Sequence, residues 1–141
     1  MTNDQIAAFI GRHATAWNRR EPAALSQNHA KDGVIVSPMF GRVEGRAQIR
    51  STYAALFAAF PDWEIRYDEP IVDGSRVAVF FSVGATHEGD FMGLAGVGRR
   101  CAFEGISLFS LGPDTLIAEE RRVYDFTGLL TQLHVLRVRP V

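Results

Sequence analysis

The run Glu119-Glu120-Arg121-Arg122 holds the residues of this chain best equipped for chemistry. In an extended strand alternate side chains share a face, so Glu119 groups with Arg121 and Glu120 with Arg122, each acid roughly 7 Å from its base. On a solvated face such a pair has little energetic consequence. Inside an apolar concavity the same pair costs several kcal/mol in desolvation, and such an arrangement serves ligand binding or proton transfer. Apolar residues flank both groupings: Ile117 and Val123 on one face, Leu116, Ala118 and Tyr124 on the other. One pair is therefore expected inside, and alternation alone leaves open which.

His87 is the second group of interest. It ends an alternating stretch in which Val77, Val79, Phe81, Val83 and Ala85 share its face, while Arg76, Ser82 and Thr86 point away. A titratable ring at the mouth of an apolar concavity suits a small-molecule site, and a core histidine bonded to a backbone carbonyl gives the same pattern. His13 lies with Trp17 on the apolar stripe of a first helix, as core or as pocket lining. His29 and His134 read as surface or helix-end residues. Four scattered histidines without ligand spacing, and Cys101 as the single cysteine, predict no metal site and exclude a thiolate cluster and any internal disulfide. Cys101 itself, in an alternating strand, reads as a small buried hydrophobe rather than a nucleophile. Asp125 reads more as a helix cap than as a catalytic acid. Gly93 to Gly98 resembles a phosphate loop only in composition: it lacks the lysine, and a strand follows, so a hairpin-connecting lid is the better reading.

The elements that must position these groups follow from capping, periodicity and breakers. Thr2 and Gln5 have capping-box spacing, and Ile6, Phe9, Ile10, His13 and Trp17 then recur at helical spacing to about Asn18. Pro22 opens a short second helix. After Asp32-Gly33, Val34-Ile35-Val36 reads as a strand that stops before Pro38. A third helix runs from about Arg46 to Phe60, with Ile49, Tyr53, Leu56, Phe57 and Phe60 on one side, closed by Pro61-Asp62. Trp63, Ile65, Tyr67 and Ile71 alternate with Glu64, Arg66 and Asp68 as one strand; Asp73-Gly74 turns into residues 76 to 87. Strands 99 to 111 and 116 to 124 and a helical segment 128 to 136 complete the pattern. Helices first and hairpins later define an α+β fold with helices on one face of an antiparallel sheet.

At 141 residues the chain reads as one domain, 1–141, without repeat or linker. A net charge of -1 argues against nucleic acid or an anionic membrane as the main partner. A polar N-terminus and the lack of a long apolar run predict neither signal nor membrane span, and hence a cytoplasmic protein.

Ala16-Trp17-Asn18, Ala58-Ala59-Phe60-Pro61-Asp62, Thr86-His87-x-Gly89-x-Phe91-x-Gly93, Gly98-Arg99-Arg100, Phe103-x-Gly105, Glu119-Glu120, and Asp125 with Gly128-Leu129-Leu130-x-Gln132-Leu133 occur in order along the chain. In order and spacing they resemble the SnoaL-like polyketide cyclases of the nuclear transport factor 2-like superfamily. The resemblance covers nearly the whole chain and implies a cone: a strongly curved antiparallel sheet, closed by three helices and a short C-terminal helix around a deep cavity. It implies cofactor-free chemistry, in which an acid on the final strand abstracts a proton and the enolate closes a ring by aldol addition. It also assigns the face bearing Glu120 and Arg122 to the active site. This chain departs from the pattern there: Arg122 stands at the family's usual aspartate, Arg121 at its usual tryptophan, Ser37 near a frequent histidine, and Ala95-Gly96-Val97 replaces a proline-proline-threonine loop. An arginine is no base at neutral pH, but it binds a carboxylate or stabilises an enolate.

Two functions follow. One is a cofactor-independent enzyme with Glu120 as general base, Arg122 as oxyanion partner and His87 as second proton carrier. The other is a non-catalytic pocket protein that binds an apolar acidic metabolite through Arg122. Either way the expected ligand is a small hydrophobic or aromatic metabolite, in a cavity lined by Trp17, Tyr53, Trp63, Phe81, His87 and Phe91, with His13 as a further candidate. Apolar residues on both faces of the last two strands predict a homodimer formed through the sheet.

Overall fold

Thr2 opens the first helix as its spacing predicts: its hydroxyl accepts from Gln5 N (3.1 Å) and its own N–H donates to the Gln5 side chain (2.8 Å). The computed structural model describes residues 1–137, 139 and 140. Helix α1 is Asn3–Asn18 and buries Ile6, Phe9, His13, Ala16 and Trp17. Helix α2 is Pro22–Gln27, and α3, Arg46–Ala59, buries Ile49, Tyr53, Leu56, Phe57 and Ala59. The strands are β1 His29–Ser37, β2 Gly41–Glu44, β3 Glu64–Tyr67, β4 Ile71–Asp73, β5 Arg76–His87, β6 Arg99–Leu111 and β7 Ile117–Tyr124; α4, Phe126–Gln132, follows. Asp125 caps α4, its carboxylate accepting from Gly128 N at 2.8 Å.

The strands form one curved, unclosed sheet in the order β2-β1-β7-β6-β5-β3, with β4 also on β5. The sheet is mixed, not antiparallel throughout: β1 runs parallel to β7, and every other pairing is antiparallel. Alternation reports which face a residue occupies and carries no information on the direction of the neighbouring strand, so this pairing was not legible. The inner face of β5 is the expected one, with Val77, Val79, Phe81, Val83, Ala85 and His87 all buried.

Three local expectations are corrected. Strand β1 begins at His29, not after Asp32-Gly33; the Asp-Gly pair lies inside it, where the register with β7 slips. A Cβ on Gly33 would meet Ala30 O and Ile117 O at 3.0 Å each, so the glycine permits that close approach. The single strand expected over 63 to 71 is two, β3 and β4, interrupted by Asp68-Glu69-Pro70; proline removes a ladder donor. Strand β2 is too short and polar to have shown a pattern.

Strand β7 carries the irregularity that matters most. Ser110 pairs with Glu119 and Leu111 with Ile117, so Ala118 is an extra residue, a β-bulge. It re-phases the strand: Ile117 and Glu120 are both fully buried, whereas Glu119 and Arg121 are exposed. Simple alternation had put Ile117 and Glu120 on opposite faces.

Candidate active site

Glu120 and Arg122 form a buried ion pair on the inner face of the sheet. Arg122 Nε donates to Glu120 Oε2 at 2.7 Å and Nη2 to Oε1 at 3.2 Å; Ser107, inward on β6, donates to Oε2 at 3.1 Å. The side chains are 11% and 1% exposed for Arg122 and Glu120. Burial alone would raise the Glu120 carboxyl; the charge and hydrogen bonds of Arg122, helped by His29 and His13, overcome it and hold the group down at about 2. The Arg122 guanidinium lies over the rings of Trp17 (5.3 Å) and Tyr53 (5.6 Å).

Two hydrogen-bonded chains lead away from this pair, and the arginines set their direction. Arg122 Nη2 donates to Tyr53 Oη at 3.0 Å, so the Tyr53 hydroxyl donates onward to His29 Nε2 at 2.9 Å, leaving the His29 proton on Nδ1. Likewise Arg12 Nε donates to Asn28 Oδ1 at 3.1 Å, so Asn28 Nδ2 donates to His13 Nδ1 at 3.0 Å and His13 keeps its proton on Nε2. His29 Nδ1 and His13 Nε2 are buried without a partner among the described residues. Burial lowers His13 to about 3 and His29 to about 4, against a partial rise from Glu120, so both rings are neutral at pH 7.

His29 was read as a surface residue and is 0% exposed. The Asp-Gly pair inside β1 masked the start of that strand, and hence the burial of His29. A ring nitrogen of each of His13 and His29 and a carboxylate oxygen of Glu120 lie within 4.8 Å of one another, a trio the scattered sequence positions concealed. These three could hold a divalent cation only poorly, since both free nitrogens carry protons and Glu120 already neutralises Arg122.

Above the ion pair lies a cavity with walls of Trp17, Leu56, Trp63, Ile65, Phe81 and Phe103, a polar set of Tyr67, Ser107, Arg122 and Tyr124, and Met39 and Phe40 from the turn joining β1 to β2. Its volume is about 20 Å³, room for water and not for a ring system. Tyr67 and Tyr124 have phenols pushed up chiefly by burial, so both stay protonated donors. The indole N–H groups of Trp17 and Trp63, stacked at 5.9 Å, are buried and without partners among the described residues.

Of the residues singled out by sequence, Trp17, Trp63, Phe81 and Arg122 line this cavity. Glu120 and Tyr53 stand behind Arg122, and His13 sits among Phe9, Trp17 and Phe109, with ring centroids 5.6, 6.4 and 5.6 Å away. His87 and Phe91 are elsewhere. Val79 is level with Arg122 across β6, and His87 lies eight positions further along β5, about 26 Å of strand. There His87 packs on Phe60 (5.7 Å) and Phe91 (6.0 Å), with neither ring nitrogen partnered among the described residues. Ser107 and Tyr67, which sequence reasoning passed over, were findable: Ser107 shares its face with Phe103 and Phe109, and Tyr67 shares its face with Ile65.

A curved sheet closed by helices over a small apolar cavity, with a charged pair at its floor, defines the cone-shaped class of small-molecule pocket proteins. Within it, the chain belongs to the SnoaL-like polyketide cyclase family, whose profile matches residues 7–133. The family points to a small-molecule enzyme working without a cofactor. Among solved structures, AclR of Streptomyces galilaeus, described as a candidate hydroxylase, is 25% identical with a TM-score of 0.83, over 99% of this chain and 91% of that one. IdmH of Streptomyces antibioticus, a candidate polyketide cyclase, is 23% identical with a TM-score of 0.75, covering 91% and 97%. A protein of ketosteroid isomerase-like fold from Catenulispora acidiphila is 21% identical with a TM-score of 0.76, covering 89% and 92%. No curated protein matches the chain by sequence. No helix among the described residues is long and apolar enough to cross a membrane.

Proposed function

We propose that the chain is an enolate-stabilising enzyme of the aldol-cyclase, isomerase or hydrolase type, acting on a small ring-bearing metabolite whose carbonyl or carboxylate oxygen docks on Arg122. The observation that carries this reading is the position of Arg122, a fixed cation between the cavity and its buried counter-charge. Every strongly polar group around it is a donor, from Tyr67 and Tyr124 to the indole N–H groups, and a lining of donors suits an oxygen-rich guest. Flat aromatic walls suit a ring system. Glu120, held at about 2 and screened from the cavity by Arg122, is a weak base in this state, so its role here is to position Arg122. His87 takes no part in this reading, because it lies far along β5. The cavity admits a ring only after widening, which the half-buried Met39 and Phe40 allow by turning outward.

One observation favours the non-catalytic alternative: no carboxylate or imidazole lines the cavity among the described residues. Exchange of the α-proton of an aryl β-diketone in heavy water separates the two. The enzyme reading expects accelerated exchange that falls about 10²-fold or more in Arg122→Gln. Binding without acceleration supports the pocket-protein reading, and no binding overturns both.

We also propose that two copies pair through the outer face of the sheet. Phe80, Ile106 and Val123 stand in one cross-strand row there, with Phe80 and Val123 48% and 62% exposed.

A further inference from the structure

Docking an anionic oxygen on Arg122, the step proposed above, disturbs a balance the interior has closed. With both histidines neutral, Glu120 and Arg122 cancel, and the buried cluster carries no net charge. A bound carboxylate or enolate leaves one uncompensated negative charge in a dry site, which costs far more than moving a proton. We infer that His29 is a ligand-linked proton site: occupation of Arg122 by an anion is accompanied by protonation of His29.

The hydrogen-bond directions select His29 over His13. A proton on His13 would have to enter at Nδ1, which accepts from Asn28; Asn28 would then turn its amide over and present N–H to Arg12, a donor. A proton on His29 enters at Nε2, which accepts from the Tyr53 hydroxyl, and a hydroxyl reverses by rotation alone. When the anion draws the guanidinium forward, Tyr53 Oη loses its donor from Arg122 and becomes free to accept from a protonated His29. The charged and titratable groups around His29 are His13 and Arg12 from α1, Arg46 and Tyr53 from α3, and Glu120 and Arg122 from β7. Arg46 opposes protonation from outside, donating to the His29 carbonyl at 2.7 and 3.1 Å. Glu120 favours it, and its influence grows once the anion shares Arg122. Tyr53 and His29 are thereby positioning residues, and the site selects ligands whose negative charge arrives with a proton from water.

The probe is benzoate, ionised throughout the range above about pH 6. Calorimetric titration at pH 7 in two buffers of different ionisation enthalpy reads protons taken up per benzoate. The expectation is about one for benzoate and none for benzamide, with affinity falling toward tenfold per pH unit as pH rises. The sign follows from linkage: the ligand raises the His29 pKa above its free value, so uptake occurs between the two values and binding weakens above them. His29→Gln should abolish the uptake. Should that variant fail to fold, ¹⁵N shifts of the His29 ring in the wild-type protein serve instead, moving from a neutral Nδ1–H ring to an imidazolium as benzoate is added. Benzoate bound without proton uptake, uptake that survives in His29→Gln, or an unchanged His29 ring overturns this inference and leaves the Arg122 reading standing. No benzoate binding at millimolar concentration overturns the Arg122 reading and this inference with it.

Discussion

His29 and His87 are both fully buried, both at strand ends and both invisible to solvent, yet only one belongs to a chemical system. His29 meets a tyrosine, a second histidine and an ion pair; His87 meets Phe60 and Phe91. An inward-facing position gives a titratable ring burial and nothing more. What makes it functional is a polar neighbour whose own hydrogen bonds dictate where the ring's proton sits.

Removing one member of the ion pair should have the largest effect. Glu120→Ala leaves the Arg122 charge buried without its counter-ion and should cost about 3 to 5 kcal/mol in denaturant unfolding. A loss below about 1 kcal/mol would mean that solvent already reaches the pair. His87→Leu is the opposing arm: it replaces two unpartnered ring nitrogens with apolar atoms, so unfolding should show no loss and a gain of about 1 kcal/mol. A large loss there would give His87 a partner and erase the contrast between the two rings.

Acid sharpens the same comparison. The folded pKa values of His13 and His29 lie below the usual 6.5, so the unfolded chain binds more protons and stability is present in full only above that value. Stability should fall from about pH 6.5 downward, by about 1.4 kcal/mol per pH unit for each histidine. Glu120 adds a second loss, from its unfolded value of 4.5 down through about 2. Unfolding free energy measured between pH 8 and 4 should therefore flatten by one histidine's share in His29→Gln.

Smaller effects are expected at the edges. Tyr53→Phe removes the hydroxyl between Arg122 and His29 and should cost about 1 kcal/mol. Val123→Arg, on the exposed outer row, should leave folding within about 0.5 kcal/mol of wild type while sedimentation shows monomer in place of dimer.

The sequence displayed the elements and the inner faces well because capping, breakers and alternation are local. Thr2 with Gln5, the run from Val77 to His87 and the Asp125 cap needed no knowledge of neighbours. It displayed the site only in part. That Glu120 and Arg122 share a face is local; that His13 from α1 and His29 from β1 converge on them is not, and no spacing along the chain records it. The parallel neighbour of β1 and the slip inside it are likewise properties of two segments nearly a hundred residues apart.

The extra residue at Ala118 has a consequence for how this strand tolerates change. Deleting it would shift the following strand by one position, exchanging inner for outer side chains. For most strands that ruins a site. Here the doublets Glu119-Glu120 and Arg121-Arg122 spell the same acid and base in either phase, so a shortened strand still points one of each inward. What such a slip would alter is the wall beside them, where Val123 would take the place of Tyr124. The repeated letters thus make the charged floor insensitive to frame while leaving the pocket's polarity open to a single-codon deletion.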